Sequence, residues 1–337
     1  MLRLAGKFCP NHSCSSCLHC DAVGLNIRPF RNVDLPALVR IWVEHWSAAG
    51  PPPYVNQPKF EQAVLARTFF DPETLLVAET DNELVGWCHF SGAVKKSLHH
   101  EDDVTLVHAL CLSSSSNDAV ALGLLAAIEK SSKSTSHLRV GVVRDDQRGY
   151  AGLEPIGFGI GIPVSDYRSS SFLQQAGYVP GMTHLRMVAT VPGYRPPVNR
   201  SALQFRRSTQ IAWTPTLPTD HRLAASLGHL DIESAELLER GGTSLSAVSI
   251  WFSDPEAEVM SPSTAILDLQ RQHENGSLTP ADNYLIGALV HSLNQRNIQT
   301  VETSIDSDRT ELIDQLQTLQ FRVVDEGTCW TKTSQSA

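Results

Sequence analysis

The amino-acid sequence predicts an α/β protein in which two domains follow one another, each with a mixed sheet flanked by helices. Segments with strand-like alternation and segments with helical spacing interleave along the chain, which is the pattern of this fold class. A segment rich in proline and glycine, residues 191–201, divides the chain into two blocks. Both blocks close with a helix and then a strand led by an aromatic residue, Tyr178 in the first and Phe321 in the second. An internal duplication explains this repetition.

The first block opens with a strand and a helix whose start is marked by polar and proline residues. Asp34 stands at the expected N-cap, Pro36 suits the first turn, and apolar residues then recur at helical spacing. A tight turn at Asp81-Asn82 joins two strands into a hairpin. In this block we predict strands at residues 25–30, 74–80, 84–94, 104–113, 137–143 and 178–190, and helices at 35–46, 59–70, 119–133 and 169–175.

The second block repeats this plan in weaker form. We predict strands at residues 204–213, 244–252, 264–270, 300–305 and 321–332, and helices around 221–230, 232–240, 280–296 and 309–319. The resulting organisation is a leader at residues 1–21, a first domain at 22–190, a linker at 191–201 and a second domain at 202–333.

Composition and charge exclude several classes of protein. The formal net charge of −9 argues against binding nucleic acid through its phosphates, because that mode needs a basic surface. No run approaches about 18 consecutive apolar residues, so we expect no membrane-spanning helix. The first residues contain no apolar segment typical of a secretory signal. These observations predict a cytoplasmic protein without a nucleic-acid or membrane partner.

Four of the seven cysteines lie in the leader, at Cys9, Cys14, Cys17 and Cys20. Such spacing can hold zinc or an iron–sulfur cluster. No second ligand pair follows at a suitable distance, and the flanking residues provide neither turn glycines nor a core. We therefore expect no bound metal and a leader that is disordered rather than packed on the folded domains.

Each block resembles a GNAT acetyltransferase domain, and the pair is similar to tandem GNAT proteins of the mycothiol synthase type. The residues that carry the resemblance are the strand, loop and helix of 106–129, the FLQQAGY segment of 172–178, and the corresponding segments of the second block. The resemblance implies mostly antiparallel sheets and transfer of an acetyl group from acetyl-CoA to an amine. The amine would belong to a small molecule or a peptide, and the protein would be a monomer or a homodimer.

In this family a loop of pattern R/Q-x-x-G-x-G/A follows the fourth strand and binds the pyrophosphate of acetyl-CoA. Its glycines let main-chain N–H groups approach the phosphates at a helix N-terminus. Here Ser116 stands at the arginine position and Ala119 at the first glycine position, so the motif is degenerate. The main chain near the end of the fourth strand normally binds the rest of the cofactor. The resemblance thus implies cofactor-binding residues Leu110, Leu112, Ser114, Ser115, Ser116, Asn117, Ala119, Val120 and Ala121.

The matching loop of the second block departs further from the family pattern. Pro280 takes a glycine position and removes an N–H donor, while Asp282 adds negative charge where a small residue is expected. Leu316 stands where active members carry a tyrosine, and Gln320 replaces the glycine before Phe321. We therefore expect the first domain to be active and the second to be structural.

Two side chains of the first domain are candidates for proton transfer. The resemblance places Tyr167 where many members carry the acid that protonates the leaving thiolate, although an exposed tyrosine at a helix start is the alternative interpretation. His108 lies two residues before Leu110, so we expect the two side chains to share a face of the strand. A histidine that titrates near neutrality would suit proton removal, although a lone histidine in an apolar strand is more often a buried core residue. The acidic residues 101–103 would attract a cationic amine or would simply be solvated.

Two other functions remain open on the sequence. The degenerate phosphate loops favour a catalytically silent tandem GNAT protein that binds a ligand or a partner. The cysteine cluster of the leader leaves room for a metal or redox sensor.

Overall fold

The structure is a computed structural model that describes residues 24–68, 70–94, 104–132, 137–144, 150–219, 221–269 and 277–333. The cysteine-rich leader and the acidic residues 101–103 lie outside these ranges. We refer to residues 24–190 as the first half and to residues 191–333 as the second half.

The first half follows the predicted order of elements. Its strands are β1 (Asn26–Pro29), β2 (Leu75–Thr80), β3 (Glu83–Val94), β4 (Val104–Leu112), β5 (His137–Val140), β6 (Ile162–Pro163) and β7 (Val179–Thr190). Its helices are α1 (Leu35–Ala49), α2 (Gln57–Phe60), α3 (Asp118–Ser131) and α4 (Tyr167–Gln175), and α2 continues as a π-helical turn, Glu61–Leu65.

The second half contains the corresponding elements. Its strands are β8 (Thr209–Pro215), β9 (Leu230–Glu239), β10 (Ser244–Ser253), β11 (Thr264–Asp268), β12 (Thr300–Asp306) and β13 (Arg322–Thr333). Its helices are α5 (Arg200–Ser208), α6 (His221–Ser226), α7 (Pro280–Ser292) and α8 (Thr310–Thr318). None of the helices in the described ranges is both long enough and apolar enough to cross a membrane.

The described strands form one sheet in the order β1-β2-β3-β4-β5-β13-β7-β12-β11-β10-β9-β8, and the short β6 pairs with β13 beside this path. Among these strands only β4 with β5 and β11 with β12 run parallel. The α/β class and the mostly antiparallel character predicted from the sequence are therefore confirmed.

The two halves exchange their last strands at the centre of the sheet. β13 lies between β5 and β7, with Trp330 opposite Val140, and β7 lies between β13 and β12, with Leu185 opposite Ile305. The fifth strand of each half is thus completed by the last strand of the other half. The division at residues 191–201 stays a prediction, and the sheet runs across it.

Three local predictions are corrected. Residues 232–240, predicted as a helix, lie in or directly after β9, because pairing with β8 and β10 on both sides outweighs the helical propensity of this segment. The strand predicted at 204–213 begins only at Thr209, and Asn199 caps a helix before it by accepting the Ala202 N–H at 2.8 Å. Asp34 makes no side-chain cap to α1, since its carboxylate binds the Arg28 guanidinium and the Arg31 N–H.

Aromatic residues dominate the core beneath α1. The ring of Trp42 stacks on Trp87 at 5.9 Å between centroids and on Tyr150 at 5.9 Å, and all three side chains are fully buried. A different cluster forms between α3 and the opposite face of the sheet, with Leu110 and Leu124 among its members. Such close packing of large rings contributes strongly to stability and leaves little free volume.

Candidate functional site

An extra residue interrupts the pairing of β4 at His108. Along β3 and β4, His89 lies opposite Ala109 but the next residue, Phe90, lies opposite Val107, so His108 forms a β-bulge. The His108 ring is 3% exposed and stacks on Tyr150 with centroids 5.8 Å apart. Leu110 instead packs in the cluster against α3. The prediction that His108 and Leu110 share a face is therefore wrong, because the bulge breaks the alternation of side chains.

β4 and β5 separate immediately beyond this bulge. Their parallel pairing runs from Val104 and His137 to Val107 and Val140, and the Gly141 N–H then donates to the Val107 carbonyl at 3.1 Å. β4 continues to Leu112, whereas β5 ends at Val140. The two strands therefore diverge where the resemblance places the cofactor, and Leu110 and Leu112 lie on β4 beyond the last residue paired with β5.

The end of β4 is already bonded to a side chain of α1. The Leu112 N–H donates to Nδ1 of His45 at 3.3 Å, and Nε2 of His45 lies 3.2 Å from Oδ2 of Asp166. Asp166 also caps α4 by accepting the Ser169 N–H at 3.0 Å. Burial raises the pKa of the Asp166 carboxyl, but the bonds to His45 and Ser169 outweigh burial and hold that pKa below its ordinary value. The Leu112 N–H, a predicted donor to the cofactor, is thus already bonded to His45 within the protein.

The loop after β4 holds the carboxylate of Glu44 from α1. The main-chain N–H of Ser114 donates to Oε1 of Glu44 at 2.7 Å, and the Ser114 hydroxyl donates to the same oxygen. These bonds, led by the hydroxyl, hold the pKa of the Glu44 carboxyl below its ordinary value. The loop therefore has the chemistry of an anion site, because it already binds an anion.

A guanidinium from α4 braces the same loop. Arg168 donates to the Ser113 carbonyl at 2.9 Å, to the Ser116 carbonyl at 2.5 Å and to the Ser116 hydroxyl at 3.0 Å. Sequence analysis missed both Arg168 and Glu44. The only signal for Arg168 was its position directly after Tyr167, and no local pattern connects Glu44 with a loop 70 residues later.

The other predicted cofactor residues lie at or near the start of α3 but differ in exposure. Ser115, Asn117 and Ala119 are exposed, whereas the side chains of Val120 and Ala121 belong to the core. The Val120 N–H donates to the Asn117 carbonyl, so Val120 is not an available donor. The carboxylate of Asp118, which would repel a phosphate, accepts a bond from Gln175 of α4 at 3.2 Å.

Tyr167 is the first residue of α4 and its side chain is 77% exposed. Asp166, directly before it, bonds to His45, which in turn bonds to the end of β4. Arg168, directly after it, bonds to the Ser113 carbonyl of the loop. The structure thus places the main chain of Tyr167 beside the predicted cofactor loop.

A histidine and a tyrosine that sequence analysis did not assign lie against His108. The Tyr150 hydroxyl is 2.9 Å from Nδ1 of His89, and the His89 and His108 rings are 5.2 Å apart. Complete burial lowers the pKa of His89 to about 3, so this imidazole is neutral at physiological pH. The face of the bulge toward α1 is therefore closely packed.

The second half satisfies its own helix start with a carboxylate. Thr279 caps α7, and its N–H and hydroxyl donate to Oδ2 of Asp282 at 2.8 and 2.7 Å. The Leu278 N–H donates to the side chain of Gln315 at 2.6 Å. These donors of Leu278 and Thr279 are thus paired within the protein.

The ends of the two halves adopt the same turn. Gly177 has φ of 82° before Tyr178, and Gln320 has φ of 65° before Phe321. Gln320 therefore keeps the left-handed geometry of the glycine position it occupies, while the Leu316 side chain is fully buried. The equivalence of the two helix–strand endings is confirmed in the backbone.

Comparisons with known proteins agree on the fold. No family model matches the sequence, and no curated protein matches it. A tandem GNAT protein from the clavulanic acid biosynthesis pathway aligns with a TM-score of 0.60 at 14% identity over 93% of this chain and 99% of that chain. A GCN5-related N-acetyltransferase from Sphaerobacter thermophilus aligns with a TM-score of 0.56 at 11% identity, covering 92% of this chain and 96% of that chain.

A third solved structure is the glucosamine N-acetyltransferase region of a fungal multi-domain β-N-acetylglucosaminidase. It aligns with a TM-score of 0.63 at 12% identity over 91% of this chain and 38% of that chain. At these identities the likeness establishes the fold. The chain has the tandem GNAT fold.

Proposed function

We propose that this protein is an acetyl-CoA-dependent N-acetyltransferase whose active site lies in the first half. One observation carries the proposal. The bulge at His108 and the separation of β4 from β5 lead directly into a loop that binds the carboxylate of Glu44. A cleft between strands that ends in an anion-binding loop is the arrangement that a thioester with a pyrophosphate group requires.

The residues at the start of α3 suit the phosphates of acetyl-CoA. The first N–H groups of a helix lack partners within the helix, and here Asp118 and Ala119 provide them at an exposed position. The Ser114 hydroxyl would add a further donor once Glu44 is displaced, whereas the Ser116 hydroxyl already donates to the Ser113 carbonyl at 2.8 Å. Acetyl-CoA supplies the activated acetyl group, and the main chain at the bulge is the proposed donor to its carbonyl oxygen.

Tyr167 and His108 are the proposed proton-transfer residues. The exposed Tyr167 hydroxyl is free to approach a leaving thiolate and protonate it. We propose that His108 receives the amine proton through a relay, because its ring is buried against Tyr150 and the amine cannot contact it directly. The acceptor is a small-molecule or peptide amine, in keeping with the negative net charge of the chain.

The second half is proposed to be structural. Its residues cover the loop that follows β5, where a Cβ on Gly152 would lie 2.9 Å from the Met260 side chain. Nε2 of His229 bonds to the Ala151 carbonyl at 2.7 Å and fixes the same loop. The second half thereby holds Tyr150 against His108.

A non-catalytic ligand-binding or partner-binding function is the second candidate, and a specific observation favours it. His45 and Glu44, neighbours on α1, already bond to the Leu112 N–H and the Ser114 N–H. These bonds close the main chain at the end of β4 to a cofactor.

Two measurements separate the candidates. Acetyl-CoA is expected to raise the unfolding midpoint of the full chain, because a ligand that binds the native state stabilises it. Turnover is then measured as thiol release with a panel of small and peptide amines. Tyr167→Phe is expected to keep the thermal response while reducing turnover at least tenfold. The absence of both a thermal response and turnover contradicts the acetyltransferase proposal and supports the second candidate, in which His45 and Glu44 keep the end of β4 closed to acetyl-CoA. Turnover on any amine contradicts the second candidate.

A further inference from the structure

Two side chains of opposite charge contact the loop after β4, and the family pattern does not provide either of them. Glu44 reaches it from α1 and Arg168 from α4, while the loop itself carries serines at the positions next to them. We propose that Arg168 is a phosphate-binding residue that replaces the missing arginine at position 116, and that Glu44 occupies the phosphate position until a ligand displaces it. This inference rests on the proposed location of the cofactor site.

Glu44 is held by donors that a phosphate could also use. Two donors of Ser114, the main-chain N–H and the hydroxyl, converge on a single oxygen of the Glu44 carboxylate. A phosphate oxygen makes the same kind of bond with the same donors, since both groups are anionic acceptors. Glu44 and a phosphate therefore compete for Ser114.

Solvent exposure allows this exchange. Ser114 is exposed and the Glu44 side chain is 29% exposed, so neither group is locked in the core. The other contact of Glu44, with Arg40 at 3.2 Å, is an exposed pair within one helix and contributes little. Rotation of the Glu44 side chain is sufficient to free the Ser114 donors.

The guanidinium of Arg168 lies against Ser116. It bonds to the hydroxyl and the carbonyl of Ser116, the residue at the arginine position of the family pattern. The positive charge thus comes to the same point of the loop from a different helix. With Glu44 displaced, the Arg168 charge is left without its nearby carboxylate and is balanced by the phosphate.

The experiment is a calorimetric titration of the full chain with inorganic pyrophosphate. Glu44→Gln keeps the size of the side chain but removes its charge, and it is expected to lower the pyrophosphate Kd about tenfold. Arg168→Gln is expected to raise the Kd at least tenfold. Glu61→Gln and Arg200→Gln, which make the same charge changes at exposed residues elsewhere, are expected to alter the Kd less than threefold.

A rescue variant shows whether Arg168 binds the pyrophosphate or only stabilises the loop. Arg168→Gln with Ser116→Arg returns a guanidinium to the loop, and we expect it to recover most of the lost affinity. A purely structural role of Arg168 predicts no recovery. Unfolding midpoints of all variants are measured alongside, so that a change in affinity is interpreted only for folded protein.

The outcomes also separate this inference from the proposed function. Tighter pyrophosphate binding by Glu44→Gln, together with the rescue, supports the exchange site whether or not the parent acetylates an amine. Equal pyrophosphate affinity of the parent and folded Glu44→Gln overturns it, and so does the absence of binding in both. If the protein nevertheless turns over acetyl-CoA, the proposed function is retained and only the exchange between Glu44 and phosphate is rejected.

Discussion

His45 accepts the main-chain N–H of Leu112 at its Nδ1 atom, at a distance of 3.3 Å. Its other ring nitrogen lies 3.2 Å from the carboxylate of Asp166, so one buried imidazole joins α1, β4 and the start of α4. The end of β4 is thereby fixed to both helices.

Replacing His45 by alanine is expected to lower the free energy of unfolding by about 3 kcal/mol. The change leaves the charge of Asp166 buried without its main partner and opens a cavity. Urea denaturation measures the loss, with the exposed His221→Ala as the control, expected within about 0.5 kcal/mol of the parent. The double variant with Asp166→Ala should lose less than the two single changes added together. A loss below 1 kcal/mol for His45→Ala would contradict the structural role assigned to this pair.

The exchange of β7 and β13 predicts that neither half is stable alone. Residues 24–195 by themselves leave β5 and β7 without β13, and exposed strand edges of this length aggregate. We expect the two fragments to fold only when co-expressed. A protease site inserted at Gly193, in an exposed turn, serves as the control because cleavage there leaves all pairings intact. Cooperative unfolding of the first fragment alone near the midpoint of the parent would refute this prediction.

Gly161 is expected to be intolerant of any side chain. It has φ of 84°, and an added Cβ would lie 2.7 Å from the main-chain oxygen of Thr328 in β13. Gly161→Ala should lower the free energy of unfolding by at least about 2 kcal/mol, because the substitution both strains the backbone and displaces β13. Gly193→Ala is the matched control, since Gly193 has φ of 75° with open space around it and should cost only about 1 kcal/mol. Equal losses from the two changes would show that the contact with Thr328 is unimportant.

Acidification is expected to destabilise the protein through His89. Burial lowers the pKa of His89 to about 3, whereas the unfolded chain has a value near 6.5. The unfolded state therefore binds the proton more readily, and stability is full above pH 6.5 and falls as the pH drops toward 3. At pH 5 this effect of His89 lowers the free energy of unfolding by on the order of 2 kcal/mol. His89→Asn, which keeps a polar atom near Tyr150 but does not titrate, should flatten the dependence of unfolding free energy on pH. An unchanged slope would contradict this assignment.

A negative charge at Ala119 is expected to abolish any response to acetyl-CoA. Ala119 is exposed in the first turn of α3, where glutamate is compatible with the helix but would repel phosphates. Ala119→Glu should fold normally and show neither a thermal shift with acetyl-CoA nor transferase activity. Ala126→Glu places the same charge two turns further along the helix and should behave as the parent. Turnover by Ala119→Glu would place the cofactor elsewhere.

The sequence by itself determined most of the elements and the likeness of the two endings. Alternation and helical spacing identify β4 and α3 because these periods follow from the geometry of single segments. Gly177 and Gln320 hold equivalent left-handed positions, as the repeated helix–strand ending predicts. Residues 232–240 were the main failure, because their strand depends on partners on both sides.

Only the tertiary structure decided how the candidate site is arranged. The bulge at His108 depends on the register with β3, and the contacts of Ser114 with Glu44 and of Ser116 with Arg168 join separate helices to one loop. The pairing of β5 with β13 joins a strand of the first half to the last strand of the chain. A local pattern records how one segment is buried, whereas these contacts depend on which segments pack against each other, and that is set by the whole fold.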